Sequence, residues 1–211
     1  MDKKEILKKC DHTILKQTAT FEDVKKVLDE GIENNCASCC ISPNFVKQAK
    51  EYVGDRIKIC TVIGFPNGYN LSEVKAFETE RAVSDGADEI DMVINLGAVH
   101  SLDLALATAD VKAVREKCRG RVLKVIIETC LLSDDEKRLA CRASLDGGAD
   151  YVKTSTGFST AGATVEDIKL MKECVGNRAK LKAAGGIRDF EFAQSLIEAG
   201  ADRIGESRLT K

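Results

Sequence analysis

One short pattern occurs three times and constrains the fold more than anything else in the chain. It is seen in Asp85-Gly86-Ala87-Asp88-Glu89-Ile90-Asp91, in Gly147-Gly148-Ala149-Asp150-Tyr151-Val152-Lys153 and in Ala199-Gly200-Ala201-Asp202-Arg203-Ile204-Gly205. Each copy follows a stretch with helical spacing, at 73–85, 134–146 and 190–198. Glycine reaches the left-handed backbone region that ends a helix without a Cβ penalty, so each unit reads as helix, tight turn and strand. Repeated units of this kind call for a parallel sheet, whose neighbouring strands need a crossover helix between them.

Other short apolar runs complete a set of eight strands, at 11–15, 36–42, 57–63, 89–95, 122–128, 151–154, 180–184 and 203–206. Helix-like stretches lie between them, for example at 21–34, 44–53, 105–117 and 164–173. Ser133-Asp134-Asp135-Glu136 has the form of a capping box, with serine before the helix and glutamate at its third position. Eight alternating units predict a closed α/β barrel of the (β/α)8, or TIM-barrel, type, with residues 1–211 as a single domain. No Gly-x-Gly-x-x-Gly turn follows the first strand, which argues against a dinucleotide-binding fold. The 211 residues allow about 26 per unit, close to the minimum for a strand, a helix and two turns. Only four residues follow Ser207, so the eighth unit is expected to lack its final helix.

Composition narrows the partners. The 32 basic and 34 acidic residues are scattered, leaving no basic face for nucleic acid or an anionic membrane. No apolar run approaches the roughly 18 residues of a membrane span, and Met1-Asp2-Lys3-Lys4-Glu5 lacks a signal-peptide core. The nine cysteines are odd in number and sit in a chain too large to be a disulfide scaffold, which predicts free thiols in a reducing cytoplasm.

A parallel barrel strand is covered by helices outside and by other strands inside, so charged residues within it carry information. In 89–94, alternation sets Asp91 opposite Ile90, Met92 and Ile94; in 122–128 it sets Lys124 and Glu128 opposite Leu123, Val125 and Ile127. Lys153 closes its strand and Lys182 lies within 180–184. With the apolar faces turned toward helices, Asp91, Lys124, Lys153 and Lys182 point into the barrel. Taken one at a time, such residues read equally well as buried ion pairs or exposed strand ends. As a set they favour function, because burying a charge costs several kcal/mol unless it is paired, and barrel active sites lie at the strands' carboxyl ends.

Clustered lysines suit amine chemistry. An ordinary lysine, with a pKa of about 10.4, is neutral in roughly one molecule in 2,500 at pH 7. Neighbouring cations and desolvation favour the neutral amine, a nucleophile that forms a Schiff base with a carbonyl, and an adjacent carboxylate can then move protons beside the imine. Glycines also follow several strand ends, at Gly64, Gly157, Gly185-Gly186 and Gly205. Backbone amides in such turns form anion sites, and in barrels the loops after strands 7 and 8 often hold phosphate.

Several of these segments resemble the signature segments of the deoxyribose-phosphate aldolase family. They are Val152-Lys153-Thr154-Ser155-Thr156-Gly157-Phe158, the run from Asp88 to Asn95, Lys124-Val125-Ile126-Ile127-Glu128-Thr129 and Lys182-Ala183-Ala184-Gly185-Gly186-Ile187-Arg188. Asp11-His12-Thr13, Cys36-Ala37-Ser38-Cys39-Cys40 and Thr61 to Gly68 are similar too, so the likeness runs from about Asp11 to Gly205. The resemblance implies a metal-independent, cofactor-free class I aldolase that interconverts 2-deoxy-D-ribose 5-phosphate with acetaldehyde and D-glyceraldehyde 3-phosphate, in deoxyribonucleotide catabolism. It implies Lys153 as the Schiff-base nucleophile, Lys182 as the cation that lowers the pKa of Lys153, and Asp91 as the carboxylate working with Lys182 and water. Phosphate is then expected at Gly157, Gly185, Gly186, Gly205 and Ser207, Lys124 becomes an ion-pair partner, and a homodimer is the expected assembly.

Two departures leave an alternative open. Glu206 stands between Gly205 and Ser207 where the family usually has threonine, and a carboxylate beside phosphate would repel it. The family also continues into another helix. Both features allow a non-catalytic or impaired sugar-phosphate-binding barrel, and a related sugar-phosphate lyase or isomerase could use the same lysine. The Cys36–Cys39 pair has no partners at zinc spacing and reads as packing. Alternation places Cys36 and Cys40 on one face, possible aldehyde-sensitive thiols near the interior. His12 reads as a hydrogen-bonded strand residue.

Overall fold

A computed structural model describes residues 1–210. Eight parallel strands close into a barrel: β1 (Cys10–Ile14), β2 (Ser38–Ile41), β3 (Ile59–Ile63), β4 (Glu89–Val93), β5 (Val122–Ile126), β6 (Tyr151–Lys153), β7 (Lys180–Ala184) and β8 (Arg203–Glu206). Each pairs with the next, and β8 pairs back to β1. Short helix α1 (Lys3–Leu7) precedes the barrel, and α2 (Phe21–Glu33), α3 (Val46–Val53) and α4 (Ser72–Ser84) follow β1, β2 and β3. After β4 come α5 (Leu96–His100) and α6 (Leu104–Lys117); α7 (Asp134–Asp146), α8 (Val165–Val175) and α9 (Phe190–Glu198) follow β5, β6 and β7. This is the (β/α)8 architecture that the repeated pattern predicts. Among the described residues no helix follows β8. None of the described helices is long and apolar enough to cross a membrane.

The local signals act as their chemistry requires. Gly86, Gly148 and Gly200 have φ of 107°, 88° and 124°, so the thrice-repeated glycine makes the turn between helix and strand. Ser133 and Glu136 form the expected capping box on α7, and Thr20 with Asp23 forms a second one on α2. The main core fills the layer between strands and helices, and contains Ile90, Met92, Leu123, Val125, Leu181 and Ala183. A separate cluster of Cys40, Cys60 and Val62 lies inside the barrel. Cys36 does not share that position: it precedes β2 and packs in the outer layer, because the strand alternation begins only at Ser38.

One buried charge sits outside the barrel. Lys75 on α4 is fully buried and donates to Val93 O at 2.9 Å and to Asp110 on α6 at 2.7 Å. Asp110 also accepts the Asn95 N–H at 2.9 Å, so α4 and α6 together pin the carboxyl end of β4, the strand that carries Asp91. Its helical spacing marks Lys75 as an ordinary helix residue, and only the packed neighbours show it to be structural.

Candidate active site

Strand pairing brings the inward charges together. Asp91 lies opposite Lys124 across β4 and β5, and Lys153 lies opposite Lys182 across β6 and β7. Asp91 is the hub. Its Oδ1 accepts from Lys124 Nζ at 2.8 Å, and its Oδ2 accepts from Lys153 Nζ at 2.8 Å and from Lys182 Nζ at 2.7 Å. Cys60 Sγ adds a hydrogen bond to Oδ1 at 3.2 Å.

Three further charged residues, not assigned from the sequence, complete the network. Asp11 on β1 pairs with Lys182 and with Arg203 on β8, and accepts from Ser38 Oγ at 2.7 Å. Glu89 accepts from Lys124 at 2.6 Å and lies 3.3 Å from Arg203. The alternation that selects Asp91 would have selected Asp11, Glu89 and Arg203 as well, but nothing in one strand tells a strand-end charge from an interior one. Burial alone would raise the carboxyl pKa values of Asp91 and Asp11. The adjoining lysines outweigh it, with Arg203 contributing at Asp11, and hold both carboxyls below their ordinary range. Burial likewise pulls Lys182 and Lys124 down, but the facing carboxylates raise both above the ordinary lysine value. Asp11, Asp91, Lys124 and Lys182 are therefore held ionised and compensate one another, the condition under which buried charges are tolerated.

Of the three interior lysines, Lys153 alone reaches open space. Its side chain is 4% exposed against 0% for Lys124 and Lys182, and it lines a cavity of about 730 Å³ at the carboxyl end of the barrel. Gly157, Gly185, Gly186, Gly205 and Ser207 line the same cavity. Asp91 and Lys182 lie beneath its floor, in contact with Lys153 but sealed from solvent. The loops after β6 and β7 approach so closely that a Cβ on Gly162 would collide with Gly185 O. Glu128, at a left-handed φ of 52°, turns its carboxylate to accept the Thr156 N–H at 3.2 Å and the Thr156 hydroxyl, shaping the turn before Gly157. Arg208 and Lys16 add cationic side chains to the cavity lining, and the sequence reading passed over both.

Glu206 does not face this cavity with its carboxylate, which corrects the expected repulsion. Gly205 takes the inward position on β8, so alternation turns the Glu206 side chain outward. It is buried there, with Oε1 2.8 Å from His12 Nδ1, and Oε2 accepts the N–H groups of Arg208 and Leu209 at 2.6 Å each. The residue that looked hostile to an anion instead ties down the turn containing Ser207. His12, outward on β1, also places Nε2 2.8 Å from Glu30 on α2. Burial pulls the His12 pKa down, but Glu206 and Glu30 outweigh it and raise it. A raised folded pKa stabilises below the unfolded value, and the benefit is lost as pH climbs through the folded value. His12→Asn is thus expected to lower the melting temperature more at about pH 6 than at about pH 9. Thermal denaturation at both pH values checks this, and an equal loss would refute the ionic pairing.

Two sets of potential metal ligands, Cys40–Cys60–Asp91 and Asp11–Cys60–Glu89, have ligand atoms within 4.8 Å of one another. Both fall inside the lysine network, where ammonium groups already meet the carboxylate oxygens.

Comparison with known proteins finds relatives matched over nearly the whole chain. The model of the DeoC/LacD family aldolases matches residues 5–207. The chain is 50% identical over 208 residues to the deoxyribose-phosphate aldolase of Clostridioides difficile, covering 99% of this chain and 95% of that one. It is 55% identical over 201 residues to that of Streptococcus gordonii, covering 95% and 91%. Among solved structures, the aldolase QR15 superposes with a TM-score of 0.94 at 39% identity, covering 98% of this chain and 93% of QR15. The tetrameric deoxyribose phosphate aldolase of Aeropyrum pernix superposes with a TM-score of 0.92 at 32% identity, covering 100% and 90%. With a lysine–carboxylate floor under a glycine-walled cavity and relatives matched over nearly their whole length, the chain belongs to the DeoC/LacD family of aldolases.

Proposed function

We propose that this chain is a class I, Schiff-base aldolase that cleaves 2-deoxy-D-ribose 5-phosphate reversibly to acetaldehyde and D-glyceraldehyde 3-phosphate. The observation that carries the reading is Lys153, the one lysine of the buried network with a side chain open to the cavity. Four cations (Lys124, Lys153, Lys182 and Arg203) face three carboxylates (Asp11, Glu89 and Asp91). Release of one proton from Lys153 leaves that network neutral. Its amine then attacks C1 of the open-chain sugar, and loss of water gives an iminium.

The bond that breaks is C2–C3, because only that bond can feed its electrons into the iminium at C1. The C3 hydroxyl loses its proton as C3 becomes the aldehyde of glyceraldehyde 3-phosphate. An enamine remains on Lys153; protonation at C2 and hydrolysis release acetaldehyde. Lys182 shares Asp91 Oδ2 with Lys153. That shared oxygen gives Asp91, Lys182 and a solvent molecule a short path for these proton transfers. The iminium is the electron sink, so the mechanism calls on no cofactor.

Phosphate fits the wall formed by Gly157, Gly185, Gly186, Gly205 and Ser207, with Arg208 and Lys16 as nearby positive charges. Because Glu206 faces away, 2-deoxyribose 5-phosphate is expected to be cleaved with a kcat/KM at least about 100-fold above that of 2-deoxyribose. A coupled assay on both sugars measures this; equal values would remove the phosphate site from the reading, and no cleavage of either would remove the reading itself.

The reading treats residues 1–211 as one barrel domain at work in the cytoplasm, supported by the absence of any disulfide among the nine cysteines. A second copy of the chain is assigned to the exposed apolar residues around the starts of neighbouring helices α4 and α6. Tyr69, Leu71, Val74, Phe77, Leu102 and Leu106 are each at least 48% exposed there, more apolar surface than an isolated barrel needs to show. Light scattering is expected to give twice the chain mass for the wild type and the chain mass for Phe77→Glu. A monomeric wild type would refute the dimer.

A further inference from the structure

Two cysteines lie together outside the barrel, where the aldolase chemistry makes no use of them. Cys141 is fully buried on α7, and Cys174 is partly exposed in the last turn of α8. The two helices pack side by side. Across that packing Cys141 and Cys174 lie close enough for each thiol to shift the other. Arg138, about one turn before Cys141 on α7, brings Nη1 within 3.8 Å of Cys174 Sγ, while its Nη2 lies 3.9 Å from Glu173.

This surrounding makes the two thiols unequal. The neighbouring Cys141 and the charge of Arg138 bring Cys174 down to about 6, against the opposing effects of burial and Glu173. The neighbouring Cys174, joined by burial, pushes Cys141 well above the ordinary thiol value. A thiolate with a protonated thiol beside it is the arrangement in which one sulfur attacks and the other resolves. The other buried cysteines differ. Burial pushes Cys10, Cys36, Cys39 and Cys118 up, and Cys40 and Cys60 are sealed inside the barrel with no exposed surface.

We infer that Cys174 and Cys141 form a reversible oxidation site for small hydroperoxides on the α7–α8 face, with Cys174 as the attacking sulfur and Cys141 as the resolving one. The Cys174 thiolate attacks one oxygen of hydrogen peroxide; the O–O bond breaks, and the departing hydroxide takes a proton from solvent to become water. The sulfur is oxidised to a sulfenic acid as the peroxide is reduced. Cys141 then attacks that sulfur, its proton leaves with the sulfenic oxygen as a second water, and an S–S bond forms. In sum, two thiols and one peroxide yield one disulfide and two waters, and a dithiol reductant reverses the change. The bond would tie α7, which leads into β6 and Lys153, to α8, which leads into β7 and Lys182.

The test treats the reduced full chain with equimolar hydrogen peroxide, blocks remaining thiols with N-ethylmaleimide and maps the digest by mass spectrometry. The expected product is a Cys141–Cys174 linked peptide pair that dithiothreitol abolishes. In Cys141→Ser, dimedone is expected to label Cys174; in Cys174→Ser, Cys141 is expected to stay unlabelled. Arg138→Gln, on the exposed surface, is expected to slow iodoacetamide labelling of Cys174 at about pH 7 by at least about threefold. The proposal is overturned if Cys174 stays a free, alkylatable thiol after peroxide, if oxidation maps first to another cysteine, or if Arg138→Gln leaves the labelling rate unchanged.

Discussion

Lys153→Leu is expected to lower cleavage of 2-deoxyribose 5-phosphate by about 10⁴-fold or more, because it removes the proposed nucleophile and leaves only binding groups. Leucine keeps much of the stem's apolar volume, so the fold is expected to survive, with an unchanged circular dichroism spectrum. The companion measurement is direct. Wild-type protein incubated with acetaldehyde and borohydride is expected to gain one reduced adduct, mapped to Lys153, and the variant is expected to gain none. The geometry makes the choice of lysine sharp, since Lys124 and Lys182 have no exposed side-chain surface and are bound to two or more carboxylates each. An adduct on either of them, or wild-type turnover by the leucine variant, would refute the assignment.

Asp91→Ala is expected to damage stability as well as activity. The carboxylate accepts from three buried or nearly buried ammonium groups, and among the described residues no other acidic residue contacts Lys153. Removing one partner of a buried pair typically costs about 3–5 kcal/mol, because the charge left behind is neither hydrated nor compensated. Urea unfolding is expected to show a loss of that order with little change in slope. A double-mutant cycle separates this from simple cavity formation. Adding Lys124→Met to Asp91→Ala is expected to cost less than Lys124→Met alone, since the lysine no longer has its main partner. A single-variant loss under about 1 kcal/mol, within the range of an exposed pair, would mean that the interior is not charged as described.

The interior charges show how far a one-dimensional pattern reaches. Asp91, Lys124, Lys153 and Lys182 were legible because a strand alternates its side chains with a period of two, and these residues interrupt faces that should be apolar. The same rule holds for Asp11, Glu89 and Arg203, yet they sit near strand starts, where a charge reads equally well as solvated. Their role as counter-ions emerges only when β8 closes against β1 and sets Gly205 beside Asp11 and Arg203 beside Lys182. Lys75 was illegible for a different reason. On a helix with mixed spacing, a lysine is by default a surface residue, and only the packing of α4 on α6 places Asp110 over its ammonium.

Glu206 marks the boundary most clearly. By identity alone it looked like a repulsive group in an anion turn; by position on β8 it is a buried acceptor for His12 and for two backbone amides. The carboxylate is the same in both descriptions, and the direction of one Cα–Cβ bond decides between them. Likewise Cys36 and Cys40 are four residues apart, a spacing that would align them had the strand begun at Cys36.

The sequence by itself determined the architecture and marked the charged residues that point into the barrel. Helix stops, strand periodicity and turn glycines are local properties, and three copies of one unit leave few ways to bury their apolar faces other than a parallel barrel. The tertiary structure alone decided which charges compensate one another, which lysine meets the cavity, which way Glu206 turns and which two of nine cysteines meet. Those outcomes depend on distances between residues far apart in the chain, such as Glu206 to His12, 194 positions apart, and such distances exist only once the first and last strands close the barrel.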